Sequence, residues 1–352
     1  MKRLASLDAL RGCTVAAMLL VNDPGDWGHV YAPLEHSAWN GCTLTDLIFP
    51  FFLFVVGVSV ALAILPRLER GAEPASLTRA ALWRALRIFV LGVAINLLAA
   101  WLMPQAHLRF AGVLQRIGIC FAAVAPFAIY TRPHTQWLAI VLLLVGYWGL
   151  LLLGGSLEPW VNIVSRTDSA VFGRLVYSID PVTGRGHDPE GLLATIPSLV
   201  STLLGLRAGC WLRKGELKPL LVAAIVSLLL GALWSWLLPF NKNLWTPSFV
   251  LWCAGWATLA LLAFHVLIDQ RGWPAIGRRF GVNAIAAYAG SEFMQIVMPS
   301  LGQEWLYRHA FTGWMTPWFG PYVPSLIFAL VFVAVWWVIV RAMDRRGIYL
   351  KL

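Results

Sequence analysis

The chain has 352 residues, 59% hydrophobic and 12% charged, with a formal net charge of +10 and a mean hydropathy of +0.72. Soluble domains carry roughly 25% charged residues, so this composition excludes one, and apolar runs of about 20 residues, long enough to cross a bilayer, recur along the chain. The positive charge does not call for nucleic acid, because membrane topology accounts for it.

The apolar runs are continuous rather than alternating, so they predict helices and not a barrel. Spans are expected over 9–23, 45–65, 83–102, 110–131, 136–154, 191–211, 219–238, 247–268, 280–298 and 322–342. The fold class is therefore all-α: a polytopic transmembrane bundle of about 10 helices, in one domain over residues 1–352. With the N-terminus in the cytoplasm, one face receives 20 of the 27 Lys and Arg residues. The positive-inside rule then places both termini in the cytoplasm. No cleavable leader is expected from "MKRLASLDALRG".

The same orientation sends most histidines and acids to the extracytoplasmic face. The longest loop there, about 155–190, is rich in turn formers. Nineteen tryptophans suit interfacial belts, with Trp39, Trp160, Trp245 and Trp314 near run ends. The five cysteines have no CxxC spacing and are expected to pack; no metal site is expected.

Five stretches carry candidate chemistry. Between the first two spans lies "VNDPGDWGHVYAPLEHSAWNGCTLTDLIFP". Asn22 ends the first helix, and His36 in the loop is a candidate general base. Either Asp46 or Glu35 is placed to orient its second ring nitrogen. Thr43 or Thr45 is a candidate cap for the second span. In "RFAGVLQRIGIC", Gln115 and Arg116 enter an apolar segment, where an arginine needs a polar cavity, a carboxylate or an anionic ligand. In "GHDPEGLLATIPS", Asp188 is expected to cap the next helix, with Pro189 at its first position. With Glu190 it also forms a carboxylate pair able to bind an amine or sugar hydroxyls. "NKNLWTPSFV" offers a cation, amides and a stacking face in Asn241, Lys242, Asn243 and Trp245. Glu292 in "GVNAIAAYAGSEF" is an ionisable group within a span, and so a candidate site by default. Walker A, HExxH, GxSxG and GxGxxG patterns are absent, which removes ATP-driven transport, zinc proteolysis and the usual serine hydrolase chemistry.

The ordered blocks "LDALRG", "VND", "HSAWNGCTLTDLIFPFFLFVVGVS", "GVLQRIG", "DPEGLLATIPS", "NKNLWTPSFV" and "GVNAIAAYAGSE" run from about residue 7 to 292. Together they resemble the heparan-α-glucosaminide N-acetyltransferase family of transmembrane acyltransferases. The chain looks like a compact bacterial member, in the inner (cytoplasmic) membrane. The resemblance implies acetyl transfer from acetyl-CoA to the amine of a glucosamine-type sugar on the far side of the membrane. It makes His36 the catalytic residue and matches Asn22 to the family's asparagine at the end of the first helix. Asp46, or Glu35 in its place, is the candidate orienting group. Asp188, Glu190, Trp39, Asn40 and Glu292 are expected to hold the acceptor. Gln115, Arg116, Asn241, Lys242, Asn243 and Trp245 are candidates for the coenzyme, which serves as co-substrate; either the coenzyme threads the bundle to reach Lys242, or Lys242 serves the sugar instead. His36 acts either as a base in direct transfer or as an acetylated relay. The expected partners are a glycan acceptor and the lipid bilayer, with no nucleic acid; a homodimer is compatible with the sequence. The rival readings are a secondary transporter of a sugar or small metabolite, an O-acetyltransferase of an envelope glycan, and a binding or assembly protein without catalysis.

Overall fold

The computed structural model describes residues 4–103 and 107–350. Lys2, Arg3 and Lys351, which enter the charge count above, lie outside the described residues. The long helices are α1 (Ala5–Asn22), α2 (Ile48–Ala63), α4 (Pro74–Leu102), α5 (Val113–Tyr130), α6 (Pro133–Leu153), α8 (Thr195–Lys214), α9 (Leu217–Trp234), α10 (Pro247–Phe264), α12 (Ala284–Val297) and α15 (Tyr322–Arg345). Shorter ones are α3 (Leu65–Glu69), α7 (Ile163–Phe172), α11 (Arg278–Val282), α13 (Gln303–Tyr307) and α14 (Gly313–Phe319). A two-residue antiparallel ribbon, β1 (Ser178–Ile179) with β2 (Gly186–His187), completes an otherwise helical fold.

Among the described residues, eight segments are long and apolar enough to cross a bilayer. The two expected spans that fall outside this set differ for physical reasons. The segment expected at 191–211 forms α8, a helix of 20 residues buried along most of its length. Its interior face carries Ser198, Ser201 and Thr202, so it needs less apolarity than a helix facing lipid. The segment expected at 280–298 breaks at Asn283, leaving α12 with 14 residues. At 1.5 Å per residue that length reaches about 21 Å, short of the roughly 30 Å hydrocarbon core. The third span begins earlier than expected, at Pro74, where proline suits the first helical turn.

The chain forms two compact units. Unit 1 comprises Met1–Ser37, Thr43–Ile48 and Ala263–Leu352; unit 2 comprises Ala38–Cys42 and Phe49–Leu262. Within unit 1, α1 and α11 meet at glycine. A Cβ on Gly12 would lie 1.8 Å from the Gly277 carbonyl oxygen, and one on Gly281 would lie 1.7 Å from that of Asp8. Within unit 2, α2 and α8 touch in the same manner. A Cβ on Gly57 would fall 1.9 Å from the Thr202 carbonyl oxygen, and one on Gly205 would fall 2.0 Å from that of Phe54. Small residues at such crossings let backbones approach, the usual packing device between helices in lipid.

The stretch expected as a long loop over 155–190 is folded. Asn162 caps α7, its side-chain oxygen accepting from the Ser165 N–H at 2.8 Å. Asp180 turns the β1–β2 ribbon by accepting from the Val182 and Thr183 N–H groups, both at 3.2 Å. No disulfide is recorded among the described residues.

Candidate active site

In unit 1 the loop after α1 returns on itself around Asp46. This carboxylate is buried at the start of the second span, and its Oδ1 lies 2.7 Å from His36 Nδ1. Oδ2 accepts from the Ser37 N–H at 3.1 Å, the Thr43 N–H at 3.0 Å and the Thr43 hydroxyl at 3.1 Å. An ionised carboxylate only accepts, so Nδ1 carries the proton, and in neutral His36 the lone pair is on Nε2. The Asp46 side chain is 1% exposed and that of His36 is 48% exposed, so a rigid buried group holds an accessible imidazole. Glu35 contributes its backbone carbonyl instead, accepting from the Thr43 hydroxyl at 2.7 Å. Neither threonine caps the second span: the cap position is Leu44, without a side-chain bond. His29 forms a second pair with Asp26 at 2.6 Å, but there both side chains are about two-fifths exposed, so neither is held by burial.

Asn22 ends α1 half-buried; its backbone carbonyl accepts from the Gln295 amide at 3.4 Å. The next residue, Asp23, was not among the expected site residues. It is 6% exposed, and its Oδ2 has no hydrogen-bond partner. Burial pushes its carboxyl up to about 8; a hydrogen bond with Gln295 opposes this, and the charge of Glu292 on α12 adds to it. The folded chain thus keeps this proton between the ordinary aspartate value of 3.8 and about 8, where an unfolded chain has lost it. Stability must fall as pH rises through that window. Asp23→Asn should remove the loss, so thermal unfolding of the variant gains on wild type as pH rises. Parallel pH curves would refute the assignment.

In unit 2 the acids of "DPEG" face a cation. Arg109 donates to Asp188 through Nε at 2.8 Å and Nη2 at 2.6 Å, and also pairs with Glu190. The acids are 0% and 8% exposed and Arg109 is 20% exposed. Tyr177 covers the guanidinium, 4.8 Å from its ring centroid, and Asn96 fixes the approach by donating to the Arg109 and Ala111 carbonyls at 2.8 and 3.0 Å. Asp188 is therefore no helix cap: α8 starts at Thr195 with Ala194 before it. Burial would raise the Glu190 carboxyl, but Arg109, Arg116 and Lys242 together hold it below its ordinary value.

Arg116 is 1% exposed. One Nη2 bond reaches the Gly191 carbonyl at 3.2 Å, and the Trp245 ring lies 5.2 Å away, while Nε and Nη1 have no partner. His187 stands beside the acid pair: its Nδ1 is 2.9 Å from Ser165 Oγ, its Nε2 has no partner, and Trp39 and Trp160 meet its ring edge-on. Burial lowers it to about 4, against the pull of Asp188 and Glu190, so it is neutral near pH 7. Asp168, pushed up by burial to about 6, accepts from the Leu192 N–H and keeps an unpartnered Oδ2.

The "NKNLW" turn is shaped by its first asparagine. Asn241 donates to Asn40 Oδ1 at 3.0 Å and accepts from the Leu244 N–H at 2.8 Å, so its amide is engaged in holding the turn. Gln115 likewise donates to the Phe110 carbonyl at 3.1 Å. Asn243 is half-buried on the turn. Trp245 takes φ 52° and Trp160 φ 65°, the left-handed region where a side chain costs about 1–2 kcal/mol. Both strained tryptophans face groups of this cluster, Arg116 and His187. Trp39 donates to the Leu157 carbonyl at 3.0 Å.

The structure thus joins His36 to Asp46 in unit 1, and Asp188, Glu190 and Arg116 to Arg109, Asp168 and His187 in unit 2. Reading by motif missed Asp23, Arg109, Asp168 and His187. The usable signal for Arg109 was that two acids in an apolar chain need a cation.

Comparisons with known proteins identify the family of the chain. Human heparan-alpha-glucosaminide N-acetyltransferase (Homo sapiens) is 29% identical over 360 aligned residues, covering 84% of this chain and 54% of the human protein. The protein of the same name from Mus musculus is 27% identical over 359 residues, with the same two coverages. The chain spans about half the length of these curated relatives. The family model described as "Heparan-alpha-glucosaminide N-acetyltransferase, catalytic" matches residues 3–218, which include the His36–Asp46 pair and the Arg109–Asp188–Glu190 cluster. That match covers more than half of the 352 residues, and the chain belongs to the heparan-alpha-glucosaminide N-acetyltransferase catalytic family.

Proposed function

We propose that the protein is a membrane N-acetyltransferase that moves acetyl from acetyl-CoA to the amine of a glucosamine-type sugar at the extracytoplasmic face of a bacterial inner membrane. The observation that carries this reading is the His36–Asp46 pair, an exposed imidazole held in one tautomer by a buried carboxylate, within a chain of this family.

A thioester needs no further activation to react with an amine. It needs a deprotonated amine, a stabilised carbonyl oxygen and alignment of the two. The amine nitrogen attacks the acetyl carbon, a C–N bond forms and the C–S bond breaks. The amine proton passes to His36 Nε2, and the thiolate leaves and takes up a proton. Asp46 stabilises the imidazolium formed. The Asn22 amide is the candidate donor to the developing oxyanion. Glu190 binds the acceptor, with Asp188 and Arg109 fixing its carboxylate. The unmet donors of Arg116 suit a phosphate of the coenzyme, and Lys242 serves the same end of the co-substrate.

The test is transfer of labelled acetyl from acetyl-CoA to glucosamine by the purified chain in liposomes. Labelled N-acetylglucosamine is the expected product. Acetyl-CoA binding with transfer only to hydroxyl acceptors would make the chain an O-acetyltransferase. Absence of acetyl-CoA binding would reject the reading and favour a transporter.

A further inference from the structure

A second buried cation lies in unit 2 on the later half of α8, apart from the residues described above. Arg207 is 9% exposed, and its Nε is buried without a partner. Its Nη1 donates to Gln136 Oε1 on α6 at 3.1 Å, and Gln136 in turn donates to the Thr131 carbonyl at 3.4 Å. The rings of Trp137 and Trp211 lie 5.7 and 6.0 Å from the guanidinium carbon. No carboxylate among the described residues pairs with Arg207; the nearby Arg213 pairs with Glu69 at 2.6 Å. A neutral amide and two ring faces do not balance a buried charge, which ordinarily requires a counter-charge.

The surroundings indicate where that charge comes from. Arg132 precedes α6, Arg213 and Lys214 end α8, and Lys218 opens α9, with α8 packed against both α6 and α9. Glu69, Glu73 and Glu216 are the acids on the flanking segments, and Glu69 is taken by Arg213. Tyr130, the last residue of α5, lines an open groove of about 460 Å³ with Arg79, Leu82, Trp83 and Leu86. Basic residues and tryptophans gathered at helix ends, as around Arg207, have the chemistry of a phospholipid headgroup seat.

We propose that Arg207, Gln136, Trp137 and Trp211 form a binding site for a phosphate oxyanion, supplied by the headgroup of an anionic phospholipid. Phosphate accepts parallel N–H bonds from an arginine fork, which the Gln136 oxygen cannot match in charge. Coenzyme A is the other source of the same group.

The test uses the full chain in nanodiscs of phosphatidylcholine, with or without phosphatidylglycerol, comparing wild type, Arg207→Met and Arg207→Lys. Phosphatidylglycerol should raise the unfolding midpoint of wild type and leave that of Arg207→Met unchanged, because only a ligand of the native site stabilises it. Retention of the anionic lipid in native mass spectra should fall roughly tenfold in Arg207→Met, as expected when a charged hydrogen bond is lost. In phosphatidylcholine alone, Arg207→Met should unfold no lower than wild type, since removing an unbalanced buried charge is neutral or stabilising. If it fails to fold, Arg207→Lys, which keeps the charge but loses the fork, must retain the lipid less well. A coenzyme A affinity that falls in the variants without any lipid effect would support the phosphate site and assign it to the coenzyme. Equal lipid retention and equal coenzyme affinity in wild type and variants would overturn the proposal.

Discussion

His36→Ala is expected to lower the rate of acetyl transfer by roughly two to four orders of magnitude, the usual contribution of a positioned general base. The fold should survive, because the imidazole is 48% exposed and little packing is lost. The loss should appear in kcat/KM with acetyl-CoA binding retained. Asp46→Asn should fall in the same range for a different reason. The amide can donate to Nδ1 and so favour the tautomer whose Nε2 carries hydrogen, as in triads that lose their aspartate. In that orientation its amide oxygen still accepts from the Ser37 and Thr43 N–H groups, so the loop should keep its fold. Glu35→Gln should leave the rate near wild type, since Glu35 meets Thr43 through its backbone. Incubating the protein with labelled acetyl-CoA and no acceptor separates the two mechanisms: label retained on the protein marks a relay, and its absence marks direct transfer. Full activity in His36→Ala would remove the histidine from the chemistry.

Arg109→Gln is the second variant with a large expected effect, this time on stability. Removing one partner of a buried ion pair costs about 3–5 kcal/mol, because the remaining charge is left uncompensated. Here two acids, 0% and 8% exposed, would be stranded. The pH dependence follows from the sign of the shift. In wild type the Glu190 carboxyl sits below its ordinary 4.5 in spite of burial, because Arg109 heads the cations that hold it there. Its contribution is therefore present above pH 4.5 and is lost as pH falls through the folded value. Without Arg109 burial weighs more heavily, the Glu190 carboxyl rises, and the variant should gain stability as the medium is acidified. Thermal unfolding in detergent across pH reads this directly. The double variant Arg109→Gln with Asp188→Asn should recover part of the loss. A variant with wild-type stability at neutral pH would show that the cluster is not a structural pair.

The bundle was legible because lipid imposes a length and an apolarity on each span that faces it. α4 and α9 bury only 17% of their most apolar windows and read clearly. Helices facing protein read less well. α8 is polar inside, and α12 is cut short at Asn283, since neither has to present twenty apolar residues to lipid. The pairing of His36 with Asp46 was half-legible: ten residues of chain brought two candidate carboxylates within reach, and the turn around Thr43 decided between them.

By itself, the sequence determined the membrane class, the helical architecture, the family blocks and His36 as a candidate base. Tertiary structure alone decided the partners. Asp188 and Glu190 take Arg109 from 79 and 81 residues away, and Arg116 meets Trp245 across unit 2. The same is true of the buried state of Asp23, His187 and Arg207. Apolar periodicity reports where a helix meets lipid, because that constraint acts on every residue of the exposed face. A buried charge is balanced by whichever group the packing brings to it, and no local pattern records that choice.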